Sequence, residues 1–249
     1  MVVEAAGAVE AGPVAAVDLP VAAPVVGGSM KLINKIKKKI NTQKIESAIA
    51  EFESHIDFEF IPVIANKSSY VEHISWVLSL IFLILFMGLI DYIFSVHLQD
   101  SYMSPLVCYT VAPFLAVLCG VLLDKSDWVD RFFITKPERT RQVQEKAERI
   151  FYKHQMHELK SQNALILYIS VMERQIVLFH DPRIKFEKMQ QIDEQILSIL
   201  QQSFKSGDFE AGLLNAIAHL KTELLPHFPL KEPSKDQNFV PNKLIWWDE

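Results

Sequence analysis

The sequence has little cysteine, no basic charge at its start and no charge at all along two long stretches, and each shortage excludes something. Cys108 and Cys119 both fall inside apolar runs, so there is neither a disulfide framework nor a Cys/His spacing that resembles a zinc site. Met1 to Ser29 is rich in Ala, Val, Pro and Gly, with Glu4, Glu10 and Asp18 but no Lys or Arg. A secretory signal needs a cationic start and an unbroken apolar centre, and this segment has neither. The formal net charge of −5 argues against nucleic acid as a partner, because phosphate binding calls for a dense basic face. There is no phosphate loop, no nucleophile elbow and no cysteine-arginine phosphatase loop. His154 and His157 lie three apart on an expected helix, which is not the zinc-peptidase spacing, and they read as surface. The absence of an active-site motif leans the reading away from an enzyme.

What is present in excess is apolar sequence. Hydrophobic residues make up 50% of the 249, and they concentrate between Ile74 and Leu123. Ile74 to Ile90 is uncharged, apolar character resumes after Asp91 through Val96, and Ser101 to Leu123 is uncharged throughout. Each run reaches the ~20 residues needed to cross a hydrocarbon core about 30 Å thick. Transmembrane helices are therefore expected over 74–96 and 105–123, joined by an outer loop at 97–104. Trp76 and Tyr92 flank the first run, and Tyr102 and Trp128 lie beyond the ends of the second, as interfacial anchors do. Asp91 is the one charge inside a span, near its outer end. Ala116 and Gly120 give a weak small-xxx-small pattern for helix association.

Orientation follows from the basic residues. The connecting loop has none, whereas Lys31–Lys39, Lys44 and Lys67 precede the first span, and Lys125, Arg131, Lys136, Arg139 and Arg141 follow the second. The positive-inside rule then places both termini and the soluble part in the cytoplasm, as a two-span protein of a bacterial inner membrane. Lys35, Lys37, Lys38 and Lys39 form either a solvated helix start or a patch resting on anionic lipid head groups, and the neighbouring spans favour the patch.

The remaining sequence reads as an α/β domain split by the hairpin. Residues 1–29 end in Gly27-Gly28-Ser29-Met30 and read as a leader, disordered or non-native, to be set aside from the fold. Residues 30–73 hold the basic segment, an amphipathic helix (Ile45, Ile49, Phe52 and Ile56 against Lys44, Glu46, Glu51 and Glu53) and a strand at 58–65. Pro62 marks that strand as an edge. Residues 124–229 hold a charged helix from Pro137 to Leu159 and a hairpin of strands turning at Glu173-Arg174. Two helices follow, separated by Gly207 and capped by Asp208. Residues 230–249 read as an irregular tail, whose Leu244-Ile245-Trp246-Trp247 cluster could dock on membrane or a partner. An α/β/α sandwich around a small mixed sheet is the expected fold.

Three stretches resemble the TPM domain family. Glu59-Phe60-Ile61-Pro62-Val63 stands in place of the family's Glu-Ile-x-Pro-Val, Ser170-Val171-x-Glu173-Arg174 resembles its hairpin turn, and Ser206 to Leu213 resembles the segment joining its last helices. A bacterial membrane branch of that family carries two spans at the same place. The resemblance implies an α/β/α sandwich and, in some members, a divalent-cation site (Ca²⁺ or Mg²⁺) or phosphatase activity, with Asp181, Asp208 and Glu59 as the carboxylates to test. One departure is plain: Asp181-Pro182-Arg183-Ile184 replaces the family's Asp-x-Gly-Ile, and that puts a loop-built ion or phosphate site in doubt. Two functions remain open, a cytoplasmic-side module for interaction with other membrane proteins and a metal-dependent phosphatase.

Overall fold

The computed structural model describes residues 15–18, 28–68, 74–96, 105–124, 134–230 and 241–247. Tyr102, Trp128, Lys125, Arg131, the 97–104 loop and most of the leader lie outside them. The chain divides into two compact units, one of Met1–Val25, Ser29–Ser68 and Pro137–Glu249, the other of Val26–Gly28 and Ser69–Lys136.

The first unit is built on a five-stranded mixed sheet with strand order β1-β4-β3-β2-β5. Strand β3 (Ala164–Ser170) pairs antiparallel with β4 (Gln175–His180), and Ile166 stands opposite Phe179. Strand β2 (Glu59–Ala65) runs parallel to β3, with Val63 opposite Tyr168. All residues of these three strands are buried, which explains their apolar runs without alternation: both faces of the sheet are covered. On one face lie helices α1 (Gly28–Lys39), α2 (Thr42–Glu53), α6 (Met189–Ser206) and α7 (Phe209–Leu224). Their Ile36, Ile45, Phe52, Ile196 and Leu213 pack with Phe60, Leu165 and Leu167. On the other face, α5 (Lys136–Lys153) places Val143, Ile150 and Phe151 against Val63, Ile166, Tyr168 and Phe179. Phe151 meets Phe179 edge to face at 5.2 Å, and truncating a buried ring of this kind costs about 3–5 kcal/mol. Helix α2 begins at Asn41, whose side chain accepts the Lys44 N–H at 3.4 Å. Helix α6 ends at Gly207 with φ 81°, a left-handed conformation that glycine adopts without cost.

The parallel pair β2–β3 is connected through α5, and the second unit is inserted between β2 and α5. It consists of α3 (Ile74–Val96) and α4 (Pro105–Asp124), packed against each other. Both are long and apolar enough to cross a membrane. Their outward side chains are apolar and exposed, Leu85 and Phe114 among them, while Ala112 and Ala116 are buried between the helices. A Cβ built on Gly120 would lie 2.1 Å from Ser79 Oγ and 2.8 Å from the Ser75 carbonyl oxygen. The small residues at 112, 116 and 120 thus serve close approach within the hairpin. The Tyr109 hydroxyl donates to Asp91, so the one charge inside α3 has a partner on α4.

Four details differ from the expectations. Strand β2 is not an edge, because β5 (Ile245–Trp247) pairs parallel with its Val63–Ala65. Pro62 is tolerated because that pairing begins one residue after it, where a missing N–H leaves no β5 partner unsatisfied. The tail is not irregular throughout: its tryptophan cluster forms β5 and docks on the chain's own sheet, Trp246 against one core and Trp247 against the other. The leader is not wholly outside the fold, since Ala15–Asp18 forms β1 along the β4 edge. Finally, α5 stops at Lys153, and Gln155 (φ 55°) starts a separate turn of 3-10 helix, so His154 and His157 do not share a helix.

Candidate functional site

Asp181 follows β4 directly, and its N–H donates to the Ala164 carbonyl at 2.9 Å. Because β4 is antiparallel, this position lies beside the N-terminal ends of β2 and β3. Ligand crevices of parallel sheets form at the opposite, C-terminal ends. Asp181 is buried, 1% exposed, and its carboxylate is already engaged. Arg183 donates to it three times: N–H to Oδ1 at 2.9 Å, Nε to Oδ1 at 2.8 Å and Nη2 to Oδ2 at 2.5 Å. The paired Asp181 holds the Arg183 guanidinium above its usual pKa.

The other two carboxylates expected to join Asp181 have separate positions. Asp208 is exposed and caps α7, its Oδ1 accepting the Ala211 N–H at 3.2 Å. Glu59 is buried at the start of β2, with Glu53 of α2 as a like-charged neighbour. Glu53 Oε1 accepts the Phe60 N–H at 3.0 Å, and burial followed by repulsion from Glu59 pushes the Glu53 carboxyl up to about 8. Among the described residues, no three His, Cys, Asp or Glu side chains are grouped to hold a metal ion. A divalent cation needs several converging oxygens. The Asp181 loop offers instead one carboxylate with an arginine across both its oxygens, so the residues present do not fit such an ion.

The structure brings together a polar cluster around Glu173, which reads in sequence as a turn residue. Glu173 is buried, 2% exposed, at the β3–β4 connection. Its Oε1 accepts the Ser68 N–H at 3.0 Å, and its Oε2 accepts the Ser170 hydroxyl. Ser68 Oγ lies 2.7 Å from the Tyr168 hydroxyl and 2.8 Å from Ser170 Oγ. Gln175 Nε2 donates to Thr140 Oγ1 at 2.7 Å. The β3–β4 connection therefore binds chain on both sides of the inserted hairpin, at Ser68 before it and at Thr140 after it. A signal for this cluster exists in the sequence: Tyr168 and Ser170 are the polar interruptions of an otherwise apolar strand, two apart on one face. A second buried pair, His180 of β4 and Asp193 of α6, places Nε2 3.4 Å from Oδ2. Burial raises the Asp193 carboxyl, and the histidine opposes that rise.

The basic segment folds as α1, with Ile33, Ile36 and Ile40 in the core. Lys39 Nζ donates to the Gly207 carbonyl at 3.0 Å, closing the end of α6, and Lys37 lies 5.1 Å over the Trp246 ring. Lys35 and Lys38 are exposed. In the second unit Trp76 is 73% and Tyr92 58% exposed.

A mixed sheet between helical layers, carrying an apolar hairpin between β2 and α5, defines the class of protein. Residues 123–223 match the family model of the TPM domain. The chain is similar in structure to the BA42 protein of the psychrophilic bacterium Bizionia argentinensis, solved by NMR. The two share 16% identity and a TM-score of 0.48 over 82% of this chain and 91% of that one. No curated protein matches the sequence.

Proposed function

We propose that the protein is a membrane-anchored interaction module, whose TPM domain works beside other membrane proteins in their assembly or upkeep. The observation that carries this reading is the place of the hairpin. Its two apolar helices interrupt the β2–α5 connection of the domain, so the chain enters and leaves the bilayer from within the fold. An insertion at both ends holds a domain more closely to a surface than a terminal tail does. On this reading α3 and α4 span the inner membrane with both termini cytoplasmic, and Trp76 and Tyr92 sit at its interfaces. Lys35 and Lys38 meet anionic head groups, each contributing about 1 kcal/mol. Lys37 and Lys39, which have contacts inside the domain, contribute less to lipid.

The phosphatase reading has less support, because the Asp181 carboxylate is held by Arg183. Extraction of the full chain from native membranes in mild detergent tests the choice. Interaction predicts defined membrane proteins in stoichiometric amount, and no phosphate release with Mg²⁺ or Ca²⁺. Recovery of the chain alone, or phosphate release that Asp181→Asn abolishes, contradicts it.

A further inference from the structure

The β4–α6 connection contains a positive charge where the family resemblance leads one to expect a bound ion. Arg183 occupies the position of the family's glycine in Asp-x-Gly-Ile. Its side chain forks onto both oxygens of the buried Asp181, and its Nη2 also donates to the His157 carbonyl at 2.8 Å. One guanidinium thus ties the Asp181 carboxylate at the end of β4 to the backbone of the turn between α5 and β3. The loop is closed further by the Ile184 N–H donating to the Asp181 carbonyl at 3.0 Å. The Arg183 side chain is 40% exposed while that of Asp181 is 1% exposed, so the arginine covers the carboxylate from the solvent side.

We propose that Arg183 acts as a built-in cation, setting this loop permanently and making it independent of Ca²⁺ and Mg²⁺. The chemistry suits the task. A carboxylate removed from water requires a positive partner and hydrogen bonds to both oxygens, and a planar guanidinium supplies both in one group. A divalent ion approaching Asp181 meets a covering cation and a carboxylate that already accepts three hydrogen bonds, two at Oδ1 and one at Oδ2. The loop of this chain is therefore a structural clasp, and a response to divalent ions is not expected from it.

Thermal unfolding of the full chain in detergent micelles tests this, with wild type, Arg183→Gln, Arg183→Lys and the double variant Asp181→Asn/Arg183→Gln. Wild type is expected to melt at the same temperature with and without millimolar Ca²⁺ or Mg²⁺. Arg183→Gln strands a buried carboxylate and is expected to lower the melting temperature by roughly 5 °C or more. The double variant, which removes the stranded charge, is expected to recover part of that loss. Should Arg183→Gln fail to fold, Arg183→Lys keeps the charge without the fork and is expected to lose less, still with no ion response. A rise in the wild-type or Arg183→Lys melting temperature on adding either ion, or Arg183→Gln melting as wild type does, overturns the proposal.

Discussion

Glu53 shows how one side chain acquires a property from the fold that its helix does not suggest. One carboxylate oxygen accepts the Phe60 N–H and the other is buried without a hydrogen-bond partner. Its carboxyl is raised from 4.5 to about 8, by burial first and by the charge of Glu59 second. A raised acid binds its proton more tightly in the folded chain, so its contribution is complete below pH 4.5. That contribution is then lost as pH rises from 4.5 to about 8, by up to about 1.4 kcal/mol per pH unit. Glu53→Gln is expected to flatten this part of the stability-against-pH curve. Denaturant midpoints at pH 5, 6.5 and 8 measure it, and an unchanged slope contradicts the assignment. The sequence marks Glu53 as the solvated side of an amphipathic helix, since helical periodicity cannot show that the next strand turns back across the end of α2. Glu173 is missed for a similar reason: a glutamate between two strands reads as exposed until Ser68, a hundred residues earlier, is placed beside it. Asp208 is the opposite case, because glycine followed by aspartate specifies a helix stop and a helix cap locally.

Among the elements, pattern length decides what can be read. Helices α2, α6 and α7 repeat their apolar positions over three or more turns, and strands β3 and β4 are apolar along most of their length, so each announces itself. Strands β1 and β5 have four and three residues, too few for any period to emerge, and each exists because an edge of the sheet accepts it. The hairpin helices are legible from hydropathy, but the side of α4 that faces α3 is not. Gly120 settles that face. A leucine there meets Ser79 and the backbone of Ser75, and forcing the helices apart costs at least the ~1–3 kcal/mol typical of overpacking. Gly88, with nothing within 4 Å of an added Cβ, is the matched control on α3. Unfolding the hairpin by raising the mole fraction of SDS is expected to need clearly less SDS for Gly120→Leu than for wild type, with Gly88→Leu unchanged. Equal effects of the two substitutions contradict the assigned interface.

Across the full chain, everything turns on the apolar hairpin being an insertion within one domain that crosses the membrane with that domain on the cytoplasmic side. The two apolar runs are local quantities and legible in the sequence, whereas the crossing and its sidedness belong to the proposed function. The sequence also reads the helix and strand before the hairpin as one domain with the elements after it. The pairing of β2 with β3 joins them, and the Ser68–Glu173 and Thr140–Gln175 hydrogen bonds bring both flanks to the same β3–β4 connection. Reporters of known sidedness give the sharpest test: one inserted in the 97–104 connection, and one fused after Glu249. The expected result is activity outside the inner membrane for the first and in the cytoplasm for the second. Both reporters on one side of the membrane, or the opposite pair of sides, would refute the topology.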